Sequence, residues 1–595
     1  MEYIAVFSII FSFATSLVIL LKRRIEQVIP IAVVAITLII FVSGMFDNLI
    51  IGTYVVYFLT ICCLCFIIAT IIKKDRENKL KELLQYVITP GLVIYVALFI
   101  FNIWINQNRI FENYDEFRHW AVIIKNMFLY GTYGTNPESI VMYNDYPPFT
   151  AAFQYLFLSV GKVYREDFVI MAQNLLYFSI IIPITKNLKW NFKGWLKSIL
   201  LIIIMPIIFY KNFYLEILVD GILGVMFAYT IYSAYQNDET KVKYTSILAG
   251  LIMLSLTKTT GIALAILAII IIAIMETIRN KENKTNLKRE MKAIIIVILI
   301  TSLLVGWWYV KAKSSNKMWD FKQLGAEETN RDEKEITEIF VETIFKAQAV
   351  TDKRLTVIST TFLLVAMTII FNKMLKDKEY KQYSITMLIT IPIYLVGLLL
   401  IYLRIFEPIE AMVLACFERY VSTILLAVVI FQAYVMEEKI EYSFKNSIIV
   451  IAILIALVPL ENVEEKYIEG RSYIKKAQIK RNAYTKIKKY NNKFTMEDSV
   501  LYIAGIEADS NYLSFLNNYE LMPNRIKNVI SGNYSETEGM IKAIKDYDYV
   551  YIYRMKQENQ EAVKEIFQDE KVENDTLYKV INEDNKIMLE KVKWN

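Results

Sequence analysis

The chain has 595 residues, of which 55% are hydrophobic, 14% aromatic and only 21% charged, with a formal net charge of +6 and a mean hydropathy of +0.37. Long apolar runs separated by charge clusters mark a polytopic membrane protein, and Lys and Arg gathered in short loops beside those runs exclude a nucleic-acid-binding reading. Four cysteines, three of them (Cys62, Cys63 and Cys65) inside one apolar run and none in the C-terminal part, argue against a disulfide framework and a cysteine zinc site, and the single His119 excludes a multi-histidine metal site.

The first apolar run, Tyr3 to Leu21, precedes Lys22-Arg23-Arg24, the reverse of a signal peptide's order, and no small-residue cleavage site follows. It is expected to be a retained span. Further spans are expected near 28–46, 49–72, 84–105, 168–185, 198–213, 217–235, 244–257, 261–277, 293–310, 355–372, 384–403, 417–436 and 447–460. That gives an all-α polytopic protein of about 14 transmembrane helices. The basic clusters at 22–24, 73–81, 186–197, 279–292, 373–381 and 437–445 are expected on the cytoplasmic side. One topology satisfies them all, with both termini outside, provided that 148–162 does not cross. This segment follows Tyr146-Pro147-Pro148 and is broken by Gly161-Lys162, and it is read as a re-entrant or surface-lying helix.

Two long outer loops follow, 106–147 and a strongly charged one at 311–352. The transmembrane domain is expected over 1–460 and an extracytoplasmic soluble domain over 461–595. That domain opens with a Lys-rich helical linker, Glu461 to Lys489. Val500–Ile503 and Tyr549–Tyr553 read as buried strands, with helical stretches near 512–518 and 558–568, so a small α/β domain is expected.

The residues able to carry chemistry lie at span ends. Asp115-Glu116 follows a span directly, and adjacent carboxylates at a membrane surface can accept a proton or hold a hard cation. His119 stands beside them as a structural partner or an interfacial polar group. An amphipathic stretch from Ala121 to Leu129, a turn at Gly131–Gly134 and Tyr146-Pro147-Pro148 complete the loop. Asp220 opens a later span, Lys258 and Gly261 lie at a junction between two spans, Arg404 ends one span and Arg419-Tyr420 opens another. Each has a plain alternative: helix capping for Asp220, snorkelling for Lys258, and pairing with Glu407, Glu410 or Glu418 for Arg404 and Arg419. Trp104, Trp120 and Trp307-Trp308-Tyr309 fit an interfacial aromatic belt.

Taken in order over roughly 84–436, Asp115-Glu116, the surface helix, Tyr146-Pro147-Pro148, Asp220, Lys258-x-x-Gly261 and Arg419-Tyr420 resemble the GT-C superfamily of integral membrane glycosyltransferases. Within it the likeness is to the protein O-mannosyltransferases and aminoarabinose transferases. The resemblance implies an inverting transfer of a sugar from a polyprenyl-phosphate-linked donor to a cell-envelope glycan, lipid or protein acceptor, on the outer face of the cytoplasmic membrane. It implies Asp115 or Glu116 as base, Lys258, Arg404 and Arg419 as cations for the leaving phosphate, and Asp220, His119 and Tyr146 in support. A divalent cation (Mg or Mn) on Asp115, Glu116 and Asp220 is compatible with the pattern and not required by it. The rival readings are an O-antigen-type polymerase or ligase, expected to rely on basic outer-loop residues, and a lipid-linked-sugar transporter or flippase, expected to show internal repeats.

Overall fold

Helices form where the apolar runs lie. The computed structural model describes residues 2–72, 76–236, 238–315, 332–346, 355–439, 456–505, 509–531, 536–583 and 586–593, and it is mostly helical with a small C-terminal sheet. Two compact units divide it: Met1–Arg109 with Asn126–Gly470, and Ile110–Lys125 with Arg471–Asn595. Residues 110–125, part of the first expected outer loop, group with the chain from Arg471 onward.

The first unit is built from α1 (Glu2–Leu21), α2 (Ile25–Met45), α3 (Leu49–Ile72), α4 (Arg76–Val87), α5 (Pro90–Asn106), α6 (Ala121–Tyr130, crossed by the unit boundary), α7 (Phe149–Gly161), α8 (Glu166–Ile181), α9 (Phe192–Phe209), α10 (Asp220–Tyr235), α11 (Thr240–Ser255), α12 (Thr259–Arg279), α13 (Lys284–Ser314), α14 (Glu333–Lys346), α15 (Val357–Leu375), α16 (Lys378–Arg404), α17 (Pro408–Met412) and α18 (Phe417–Lys439). Among the described residues, ten helices are long and apolar enough to cross a bilayer, or eleven if α4 and α5, bent by 51°, form one span. The chain is a multi-pass membrane protein. The expected spans 217–235 and 244–257 form α10 and α11, of 16 residues each, and 447–460 lies mostly outside the described residues.

Apolarity on every side serves two environments here. Only 6% of the α3 apolar stretch is buried by protein, whereas that of α8 is wholly buried. Every residue of α10 is also buried. Helices apolar all round thus divide into a protein-enclosed centre and a surface suited to lipid. The segment read as re-entrant or surface-lying is α7. Its 13 residues span about 20 Å at 1.5 Å per residue, short of a hydrocarbon core. Its residues Phe149 to Ser159 are all buried, so protein covers it rather than solvent. In the second charged loop, α14 buries Ile336 and Phe340, one helical turn apart.

Ion pairs tie together the basic clusters that were expected to share one side. Arg23 meets Asp238 at 3.1 Å, Lys186 meets Glu438 at 3.0 Å, Lys197 meets Glu437 at 2.7 Å and Lys439 meets Asp377 at 3.5 Å. Arg279 pairs with Glu276 and Glu379, and Lys243 with Glu276 and Glu290. These contacts gather the C-terminal ends of α10, α12 and α18 at one end of the bundle. The N-terminal ends of the same three helices therefore lie at the other.

The second unit carries a five-stranded sheet of order β2-β1-β3-β4-β5, with β1 (Val500–Ala504), β2 (Asn528–Ser531), β3 (Tyr549–Tyr553), β4 (Thr576–Glu583) and β5 (Lys586–Lys591). β1 pairs in parallel with both β2 and β3, and β3-β4-β5 is antiparallel. Helices Ser510–Leu521 and Thr537–Ile544 make the crossovers that parallel pairing requires. Side chains alternate between two cores: Leu501, Ile503, Val550 and Ile552 on one face, Val500, Tyr502, Tyr551 and Tyr553 on the other. Both faces are covered, which is why β1 and β3 read as continuous apolar runs.

Candidate functional site

The strongest cluster of chemistry in the first unit forms where α10, α12 and α18 begin. Asp220 is the first residue of α10, Lys258 the residue before α12, and Arg419 lies in the first turn of α18. Lys258 Nζ donates to Asp220 Oδ1 at 2.8 Å, and Arg419 Nε lies 3.0 Å from Asp220 Oδ2. The Asp220 and Lys258 side chains are 4% and 6% exposed, and Arg419 is 20% exposed.

Local sequence explains why these three meet. A Cβ at Gly224 would stand 2.4 Å from the Thr423 carbonyl oxygen, so only glycine admits this approach of α10 to α18. One turn earlier on each helix stand Asp220 and Arg419, which the close approach brings into contact. A Cβ at Gly261 would lie 2.1 Å from the Leu254 carbonyl oxygen, so glycine also sets the tight junction between α11 and α12. That junction holds Lys258 in extended backbone (φ −158°, ψ 154°) just before the helix. The Phe149 N–H donates to Leu256 O at 2.7 Å, tying the end of Tyr146-Pro147-Pro148 to the same junction.

Aromatic rings and a cavity complete the cluster. Lys258 Nζ sits 5.0 Å and the Arg419 guanidinium 5.4 Å from the Tyr420 ring centre, within cation–π range. Tyr210 donates its hydroxyl to Arg419 O at 2.7 Å. Tyr146 stacks on Tyr143 at 5.0 Å. Arg419 also lines an open cavity of about 430 Å3, whose other walls are Ile339 and Thr343 of α14 and residues 412–414 and 416–418. In that wall Leu414 and Cys416 have φ of 45° and 62°. This conformation costs about 1–3 kcal/mol at a non-glycine residue and concentrates where function requires it. Tyr402 donates to Ala415 O at 2.7 Å and helps hold the strained segment.

The other sequence candidates make contacts of their own. Arg404 pairs with Glu333 at 2.8 Å, both largely exposed, rather than with Glu407, Glu410 or Asp220. Asp115, Glu116 and His119 belong to the second unit. There Glu116, 1% exposed, accepts from the backbone N–H groups of Glu112 and Asn113 at 2.9 and 2.8 Å through one oxygen. The adjoining π-helical turn is Glu116–Trp120. Asn113 Oδ1 accepts the Asp115 N–H at 2.9 Å, and Asp115 itself is partly exposed. His119, 2% exposed, packs edge-on against Trp120 at 4.7 Å. Trp104 is exposed as an interfacial residue would be, but Trp120 and Trp308 are buried. Trp308 donates to Asp145 O at 2.8 Å.

Among the described residues no group of three or more His, Cys, Asp or Glu side chains is placed to hold a metal ion. Asp220 does not suit a divalent cation, because both its oxygens already face cations. The residues missed from sequence are Gly224, Thr423, Tyr210 and Glu333. The Gly221-x-x-Gly224 spacing at the start of an apolar run was the available signal for the first, since small residues mark close helix packing in membranes. Compared with known proteins, the chain matches no family model, and no curated protein matches it significantly.

Proposed function

We propose that the protein is an inverting glycosyltransferase of the GT-C type, acting on a polyprenyl-phosphate-linked sugar at the extracytoplasmic face of the cytoplasmic membrane. The observation that carries this reading is the Lys258–Asp220–Arg419 cluster at three converging helix N-termini beside an open cavity. Helix N-termini favour negative charge, and two cations against one carboxylate leave this three-residue cluster net positive, while Glu418 adds a carboxylate to the cavity wall. Ionisable groups buried at the ends of membrane helices are expensive, and in membrane proteins they mark function.

The chemistry follows from charge. As the acceptor oxygen bonds to the anomeric carbon, the bond to the donor phosphate oxygen breaks and its electron pair leaves with the phosphate. Arg419, partly exposed and lining the cavity, meets that developing charge, with Lys258 behind it. Asp220 is the counterion that holds both cations ready in a water-poor site, so little reorganisation accompanies the reaction. The resemblance to the GT-C pattern assigns the acceptor's proton to a carboxylate of the first outer loop, Asp115 or Glu116. Asp115 is the first choice as base; Glu116 accepts two backbone N–H groups through one oxygen. The acceptor would be a cell-envelope glycan, lipid or surface protein.

The test is reconstitution with a panel of polyprenyl-phosphate sugars, measuring transfer or hydrolysis for the wild type, Asp115→Asn and Glu116→Gln. Asp115→Asn is expected to lower turnover about a hundredfold or more, the scale of a positioned base. Wild-type protein inert toward every donor, or Asp115→Asn at full rate, would overturn the reading.

A further inference from the structure

The second unit joins residues some 350 positions apart in the chain. Its sixteen-residue segment Ile110–Lys125 is held along its length by contacts with the C-terminal domain. At the start, Tyr473 donates its hydroxyl to Glu112 Oε2 at 2.9 Å, and Arg481 donates to Phe111 O at 3.3 Å. In the middle, Tyr114 packs against Phe515 at 5.4 Å, and Phe117 packs against Tyr519 at 5.4 Å. At the end, Lys125 Nζ donates to Tyr519 O at 2.6 Å.

Arg481 is the pivot of this arrangement. Its guanidinium lies 5.2 Å from the Phe117 ring centre and 5.4 Å from that of Tyr519, and its Nε donates to Glu520 Oε1 at 2.5 Å. The Arg481 and Glu520 side chains are 10% and 9% exposed. Lys488 is the second cation on Glu520, at 2.7 Å. A planar cation against two mutually packed rings, with a fixed carboxylate at its edge and a backbone carbonyl at another donor, is a geometry that arginine supplies and lysine does not.

We propose that Arg481 is a positioning residue for the Asp115 turn, so that the C-terminal domain sets the backbone of the acidic segment rather than serving only as a separate binding module. The segment carries the base of the transfer reaction proposed above, and the functional half of the inference rests on that reading. The structural half does not. Arg481 fixes Phe111 O and the Phe117 ring, which flank Glu112 and Asn113. The N–H groups of those two residues bind Glu116, and Asn113 in turn binds the Asp115 N–H. A loosened Arg481 therefore frees the backbone on which Asp115 is mounted.

The experiment is amide hydrogen exchange on the full-length protein in detergent, with transfer kinetics on the same samples. Arg481→Met is expected to lower protection of residues 112–120 by about tenfold or more, local opening being a property of the contacts that close a segment. Strands β1 and β3 keep their protection. Arg481→Lys, with the charge but not the fork, recovers little. With an active donor, kcat falls while the donor KM is unchanged. Should Arg481→Met also expose β1 and β3, Arg481→Lys, which keeps the charge on Glu520, decides. Unchanged protection of 112–120 in the deciding variant overturns the proposal. Wild-type protein without transfer activity overturns the glycosyltransferase reading alone, since the exchange result stands independently of it.

Discussion

Asp220 faces two cations, and this asymmetry gives a prediction with an unusual sign. Asp220→Asn leaves Lys258 and Arg419 confronting each other with no carboxylate between them, in a place where the Asp220 and Lys258 side chains are 4% and 6% exposed. Breaking a buried pair by removing one partner costs about 3–5 kcal/mol, because the other charge stays buried and uncompensated. Lys258→Met removes one cation but leaves the Asp220–Arg419 pair at 3.0 Å intact. Its loss is one charge-assisted hydrogen bond, worth about 1.5–3 kcal/mol. The double variant Asp220→Asn/Lys258→Met leaves only Arg419, which is 20% exposed and can turn toward solvent. It should therefore regain at least about 1 kcal/mol over Asp220→Asn alone, since removing an ionic group with its partner is far less costly than orphaning it. The assay is unfolding of the four proteins in one detergent, analysed as a double-mutant cycle. A double variant less stable than Asp220→Asn, or Asp220→Asn milder than Lys258→Met, would refute the argument that Asp220 is the common counterion.

Further outcomes follow from the same structure. Arg404→Gln should change stability by less than about 1 kcal/mol and leave turnover within about twofold, because its Glu333 pair is exposed; thermal unfolding and transfer kinetics check this. Gly224→Val should destabilise the bundle by about 1–3 kcal/mol or more through collision with the Thr423 carbonyl oxygen, and detergent unfolding measures it. In the C-terminal domain, burial raises the Glu520 carboxyl, but the Arg481 and Lys488 cations outweigh burial and hold it below its ordinary value. Its contribution to stability is therefore complete above the unfolded value of about 4.3 and is lost as pH falls through the lower folded value. A pH series of hydrogen exchange should show wild type losing protection of 112–120 in that acid window, and Glu520→Gln showing no such transition.

Much of the architecture is visible in the sequence because its signals are local. An apolar run beside a basic cluster identifies a span whatever lies around it, and continuous apolar stretches such as Val500–Ala504 identify strands covered on both faces. The charges at span ends were equally visible, since Asp220, Lys258, Arg404 and Arg419 stand out against apolar neighbours. Which of them meet was not visible, because that depends on how closely helices approach. Gly224 lets α10 reach the Thr423 carbonyl oxygen and so joins Asp220 to Arg419, whereas Arg404, with much the same sequence surroundings, pairs with Glu333 at the surface. Glu116 shows a different difficulty. Beside Asp115 it reads as a second acid, yet its side chain reaches three and four residues back to bind the backbone, and only coordinates separate that use from catalysis. Nor could spacing show that Arg481, far along the chain, folds with residues 110–125.

The central claim is that Arg419 and Lys258 receive the charge leaving with a lipid phosphate. Single-turnover transfer from a polyprenyl-phosphate sugar in proteoliposomes tests it most directly, comparing wild type with Arg419→Gln and Arg404→Gln. The account predicts a loss of about a hundredfold or more for Arg419→Gln, the scale of removing one preorganised charge stabiliser, against a near-normal rate for Arg404→Gln. Equal rates in folded Arg419→Gln and wild type would contradict it.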